Sequence, residues 1–483
     1  MASAAGGRMY VVETDRKKEE GIDRIMISEN LRKYATEKFE RRRELLAPVM
    51  PVIEEKLKQC SEEEAVLMKF LYGTMPVRDA GEYGFNLFLS YVKHALMLRE
   101  KVAWCKELPE DVFVNYVLYD RINSEDITDC RPFFYEQIMG RVAGMSLLEA
   151  ILEINYWCAE HATYEATDGR TASPMTMYRS GKGRCGEEST FAVTAYRSVG
   201  IAARQVYTPR WAHCDDNHAW VEVFVDGEWH FLGACEPEEV LDTGWFSGPA
   251  NRAILIHTRN FSDYVKESNE EYLGKEGALY YFNHTDFYGR TKLVKILVKD
   301  ENGKPAAGAH IAVEILNMAE FFPAAVMIAD ADGEVRMTLG LGDIRVRAFD
   351  GIRRAEAMMR IEEEDSLELV LREEAVLGAE DRVFRFRKRM TGGRRWKSGH
   401  RRKCRYGISL PQRSRRSEMR HGWQRRNGFG RHGLQHALMR KRLLRIRKRK
   451  RFSTGQERIL RRFIHSFPKM KIRTGRSCCF HWH

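Results

Sequence analysis

The chain has no run approaching 18 consecutive apolar residues, so no segment reads as a membrane span. Its first residues, Met1-Ala2-Ser3-Ala4-Ala5-Gly6-Gly7-Arg8, lack the apolar centre of an export signal. No Cys-x-x-Cys occurs, which argues against a zinc ribbon. The ten cysteines are scattered, and only Cys478 and Cys479 are adjacent. Scattered thiols without an export signal point to a reducing cytoplasm. His213, Cys214, His218 and Cys235 could bind zinc on ligand type alone, but their spacing matches no common metal motif. No metal or cofactor is therefore expected.

Acidic residues are scarce at one end. Residues 381–483 hold 35 lysines and arginines against three aspartates and glutamates. The remaining residues carry 45 basic against 65 acidic side chains, so the formal net charge of +12 hides a split. The globular part is acidic. Runs such as Arg440-Lys441-Arg442-Leu443-Leu444-Arg445 cannot build a core, and residues 380–483 read as a basic tail of low order. Two readings of it stand. One is a polyanion-binding tail that neutralises phosphates or an anionic membrane. The other is an out-of-frame translation of a GC-rich gene, which yields Arg-rich sequence with stray Cys, Trp and His.

The stretch that organises the rest runs from Gly181 to Glu236. Gly181 and Gly183 let backbone lie close to a substrate, and Cys185 follows. Glu187 and Glu188, with apolar residues at 191, 192, 195 and 199, predict a helix beginning at the cysteine. A thiol at a helix N-terminus sits at the positive end of the macrodipole, which favours thiolate, and Arg184 acts in the same sense. The competing reading is a buried structural cysteine. Further on, His218-Ala219-Trp220-Val221-Glu222-Val223-Phe224-Val225, then Asp226-Gly227, then Glu228-Trp229-His230-Phe231-Leu232 predicts a β-hairpin with His218 at its entry. A cysteine with an imidazole base is an activated nucleophile for acyl chemistry. His213 and His230 are rivals for the base.

These residues carry a resemblance. Gly183-Arg184-Cys185-Gly186-Glu187, then Gly200-Ile201-Ala202-Ala203-Arg204, then His218-Ala219-Trp220-Val221-Glu222-Val223, a turn and Trp229, resemble the core of the transglutaminase-like superfamily. The resemblance covers roughly residues 145 to 260. It implies a papain-like α+β fold with a Cys-His-Asp triad, Cys185 as nucleophile and His218 as base. The superfamily includes transglutaminases, peptide N-glycanases and bacterial cysteine proteases. Its usual Asp stands four residues after the hairpin Trp, where this chain has Gly233. Glu236 is the candidate third residue, with Asp215 and Asp216 as the fallback. The zinc-binding Cys pairs of the peptide N-glycanases are missing.

A chain of this length accommodates about three domains. Residues 1–144 read as a helical region, with capping boxes at Ser61/Glu64 and Ser146/Glu149 marking two helix starts. Residues 145–265 are the expected catalytic core. Arg170 to Arg179 reads as an irregular approach to the nucleophile, and Ala250 to Thr258 as the last core strand. The loop from Pro209 to Asn217 enters His218. Trp211 in it is a candidate wall of the acyl pocket, and Asp215 and Asp216 could favour a cationic substrate or form an ordinary solvated turn. Residues 288–373 show short strands with Asn-Gly and Asp-Gly turns, a small β-sandwich. They resemble carboxypeptidase regulatory-like and immunoglobulin-like modules, which leaves surface association open.

The expected fold is thus α+β: a papain-like core, N-terminal helices, a β-sandwich and the basic tail. The expected function is thiol-dependent acyl transfer on amide bonds of a protein or peptide. Hydrolysis is favoured, because bacterial-looking relatives of this kind are more often hydrolases. A transglutaminase, or a binding scaffold that lost turnover with the Asp, are the alternatives.

Overall fold

The computed structural model describes residues 27–167, 169–265 and 270–373. The basic tail expected at 380–483 lies outside the described residues. The described chain is α+β, with helices first and sheets after.

The N-terminal helices form where caps and apolar faces coincide. Helix Glu62–Thr74 starts with the Ser61/Glu64 capping box, and helix Leu147–His161 with the Ser146/Glu149 box. Phe70, Leu71, Phe88, Val92 and Leu98 are fully buried, joining helices Glu62–Thr74 and Phe85–Lys101 in one apolar cluster. The segment Pro174–Ser180 is a helix rather than an irregular approach. Ser173 caps it by accepting from the Thr176 amide, and Pro174 occupies the first turn, where its missing N–H costs nothing.

The core is a sheet with a helix laid on it. A two-residue parallel pair, β1 (Thr163–Tyr164) and β2 (Lys182–Gly183), precedes helix Cys185–Ser198. Gly200, at φ +80°, turns the chain from that helix toward β3 (Ala203–Thr208). The hairpin of β4 (His218–Val225) and β5 (Glu228–Leu232) closes through Asp226 and Gly227, both at positive φ, which is the twist a two-residue turn needs. The next strand, β6 (His257–Asn260), begins later than its sequence suggested, because residues 253–256 pack as buried loop. A further hairpin, β7 (Glu271–Glu276) and β8 (Leu279–Asn283), extends the sheet. The strand order is β5-β4-β3-β6-β8-β7, antiparallel throughout.

Beyond it come two smaller sheets. The four-stranded one has the order β11 (Glu320–Ile328), β10 (His310–Asn317), β13 (Asp343–Phe349), β14 (Arg354–Arg360). The three-stranded one has the order β12 (Glu334–Gly340), β9 (Thr291–Lys299), β15 (Ser366–Val370). Alternating residues of both, among them Val294, Ile296, Met337, Ile311, Val313 and Val346, share one dry core, so the sheets pack face to face.

Candidate active site

Cys185 is the first residue of its helix. The start is fixed from several sides. The Glu187 carboxylate accepts from the amides of Arg184 (2.9 Å) and Ala172 (2.8 Å) and from the Thr167 hydroxyl (2.8 Å). On β3, Gln205 donates to the Gly186 carbonyl (3.2 Å) and the Ser189 hydroxyl (2.7 Å). Glu187 and Glu188 both donate backbone bonds to the Arg184 carbonyl, so the amides of Cys185 and Gly186 lie ahead of the first bonds of the helix.

The thiol does not follow the helix-dipole expectation. Burial pushes it above its ordinary range, and Glu188 and Asp216 push the same way. A backbone hydrogen bond from Ala219 and the charge of Arg184 act in the opposite sense without reversing the shift. Ala219, whose backbone favours the thiolate, is the residue after His218 at the entry of β4.

Along β4 the side chains alternate. Val221 and Val223 join the core of helix Cys185–Ser198, while Trp220 belongs to a separate aromatic cluster with Phe246 and Tyr288. His218 lies with that cluster. Its ring centre is 5.7 Å from Trp220, 6.3 Å from Trp211, 4.8 Å from Trp245 and 5.1 Å from Phe246. Burial lowers its pKa to about 4, so the imidazole is neutral near pH 7. Its Nε2 is buried without a hydrogen-bond partner and does not engage the sulfur of Cys185 in this structure.

The His-Ala-Trp-Val-Glu run has a structural reason beneath it. Trp220 Nε1 donates to the Tyr288 hydroxyl (2.8 Å), which donates in turn to Glu222. Glu222 pairs with Arg204 (2.7 Å) and lies 3.3 Å from His284. Burial would raise its pKa, but His284 and Arg204 hold it down at about 2. Trp229, the hairpin tryptophan, covers the Arg204 guanidinium at 4.0 Å.

Glu236 stands where the missing side chain would begin. A Cβ built on Gly233 would lie 2.7 Å from Glu236 Oε2 and 2.9 Å from its Cβ. The carboxylate accepts from Trp245 Nε1 (2.9 Å), and the Trp245 ring leans on His218. Burial raises the Glu236 pKa to about 7, against the Trp245 bond and with help from Glu238. The link from Glu236 to His218 thus runs through an indole.

The loop residues have other work. Trp211 is 2% exposed, and its ring lies against those of His218 and Trp220. Asp215 accepts from the Met318 amide (2.7 Å), and Asp216 caps its own turn by accepting from the Asn217 amide (2.8 Å). Of the rival histidines, His230 is bound to Asp242 (2.7 Å) on the hairpin, and His213 sits beside Trp211. Cys235 is buried against the Glu188 carbonyl, and among the described residues no three His, Cys, Asp or Glu side chains converge as a metal site. No described helix is long and apolar enough to cross a membrane. Sequence reasoning missed Trp245, Phe246 and Asn317. Trp245 and Phe246 sit in a loop with no motif, and Asn317 ends a strand of another sheet.

A search of curated proteins finds no match. Among solved structures, a candidate cysteine protease from Cytophaga hutchinsonii is 14% identical over 37% of this chain and 65% of its own, with a TM-score of 0.23. The red sea bream transglutaminase is 11% identical over 53% of this chain and 65% of its own, with a TM-score of 0.25. A further transglutaminase is 14% identical over 46% and 48%, with a TM-score of 0.19. The chain thus spans less than two thirds of the length of each. Residues 136–234, which contain both Cys185 and His218, match the family model of the transglutaminase-like superfamily.

Proposed function

We propose that this protein performs thiol-dependent acyl transfer on amide bonds, with Cys185 as nucleophile and His218 as base. One observation carries the reading: the stretch that matches the transglutaminase-like family model puts Cys185 at the start of a helix and His218 at the start of β4. In the reaction the imidazole turns within its aromatic surroundings and takes the thiol proton as sulfur bonds to the carbonyl carbon. The amides of Cys185 and Gly186 receive the oxyanion. The imidazolium returns its proton to the leaving nitrogen, leaving a thioester on Cys185. Water, activated by the same imidazole, releases the acid; a primary amine in its place gives a new amide. Glu236 is the third member, acting through Trp245. Trp211 walls the pocket, and Asp216, exposed at its rim, favours a cationic group on a protein or peptide substrate. Water is the acceptor we favour.

Retention of the fold as a non-catalytic binding scaffold is the second reading. It is favoured by the raised Cys185 thiol and by the unengaged Nε2 of His218. A glutamine-containing peptide incubated with the full chain separates the readings. Ammonia release without amine indicates hydrolysis, and incorporation of a fluorescent primary amine indicates transfer. The scaffold reading is left if neither occurs, and activity retained in Cys185→Ala would contradict Cys185 as the nucleophile.

A further inference from the structure

The turn between β10 and β11 grips the loop that leads into His218. Asn317, the last residue of β10, is 2% exposed. Its Nδ2 donates to the carbonyls of Trp211 (2.8 Å) and Cys214 (2.7 Å), with the Asp216 carbonyl at 3.5 Å. The next residue returns a bond, the Met318 amide donating to Asp215 Oδ1 (2.7 Å). On the following strand Phe322 lies 3.9 Å beneath the Arg210 guanidinium, and Glu320 stands 4.0 Å from it.

The turn itself is held in an unusual conformation. Met318 and Ala319 have φ of 52° and 59°, a region that side-chain-bearing residues rarely adopt. It gives the two-residue turn the twist of its strands, but glycine or asparagine would serve better. Such backbone persists where its surroundings over-determine it, and such sites cluster around function. Here the surroundings are the loop 211–216.

The loop is one wall of the His218 box. Trp211 presses its ring toward His218 and Trp220, and its carbonyl is one of those Asn317 holds. We infer that Asn317 is a positioning residue for His218, reaching from the two-sheet module to fix the Trp211–Asp216 loop and, through Trp211, the imidazole. The inference rests on His218 being the base. It gives the two-sheet module a part in the chemistry without supplying a reacting group.

The test uses the full chain. Amide hydrogen exchange is followed over residues 211–217, and Cys185 alkylation by iodoacetamide is followed from about pH 6 to about pH 9. In Asn317→Ala, exchange in the loop rises and alkylation near neutrality slows about tenfold. Asp215→Ala removes the second rung from an exposed position and moves both readouts the same way by less; it carries the test if Asn317→Ala does not fold. Unchanged loop exchange overturns the inference. So does faster exchange with an unaltered alkylation profile, which marks a merely structural role. His218→Ala is the control: if it leaves alkylation as in the wild type, the base reading falls and takes the positioning role with it. If it slows alkylation while Asn317→Ala and Asp215→Ala do not, only the role of Asn317 falls.

Discussion

The carboxylate of Glu236 fills the space into which a side chain on Gly233 would project, with Oε2 2.7 Å from the position of that Cβ. The two side chains compete for one space. A side chain at 233 needs Glu236 to move, and glycine at 236 removes both the carboxylate and the Cβ that stands 2.9 Å away.

Gly233→Asp is therefore expected to be destabilising by about 2 kcal/mol, through steric conflict and like charge. Gly233→Asp combined with Glu236→Gly is expected to recover at least half of that loss. Denaturant unfolding of the four members of the cycle measures the coupling, which is about 1 kcal/mol or more for residues in contact. Additive effects would mean that the two side chains do not compete for one space.

Glu236 also makes stability depend on pH. Its folded-state pKa, raised to about 7, exceeds the ordinary carboxylate value. Between about pH 4.3 and about pH 7 the folded state holds more protons than the unfolded chain, so this group's contribution to stability falls as pH rises. Relative to wild type, Glu236→Gln is expected to gain about 1–2 kcal/mol in stability from pH 5 to pH 8. Thermal melts at the two pH values check the difference, and an equal offset at both contradicts it.

Arg184 and Asp216 act on the Cys185 thiol with opposite signs. Arg184→Gln is expected to move the midpoint of Cys185 alkylation to higher pH, and Asp216→Asn to lower pH. Shifts of the same sign would show that loop geometry, not charge, sets the thiol.

Asp120 is 5% exposed, and neither carboxylate oxygen has a hydrogen-bond partner. Burial and the nearby Asp79 raise its pKa to about 7. Here too the unfolded chain loses its proton first, so stability declines as pH rises through about 4 to about 7. Asp120→Asn is expected to be more stable than wild type at pH 8 by about 1–2 kcal/mol and close to it at pH 5. Calorimetry at the two pH values decides.

Much of the core was legible because local chemistry and tertiary packing agree there. Ser61 and Ser146 announced their helices through caps, Asp226-Gly227 announced the hairpin, and the helix does begin at Cys185. The strand at 257–260 was placed too early because residues 253–256 are apolar for burial, not for pairing. The protonation of Cys185 was misjudged because helix position is visible in sequence and desolvation is not. The partner of Asp215 was hidden for a similar reason: Met318 lies 103 residues away, on the turn of another sheet. Trp245 carries no motif, and its place between Glu236 and His218 depends on a loop whose path no periodicity describes.

The central claim is that the sulfur at 185 and the ring at 218 act as one unit. The most direct measurement is the second-order rate of Cys185 modification by iodoacetamide near pH 7, with peptide mapping, in wild type and in His218→Ala. The account predicts that wild-type Cys185, half-buried, reacts faster than a free thiol, and that His218→Ala lowers the rate by about tenfold or more. Equal rates in the two proteins, or a Cys185 no more reactive than a free thiol, would contradict it.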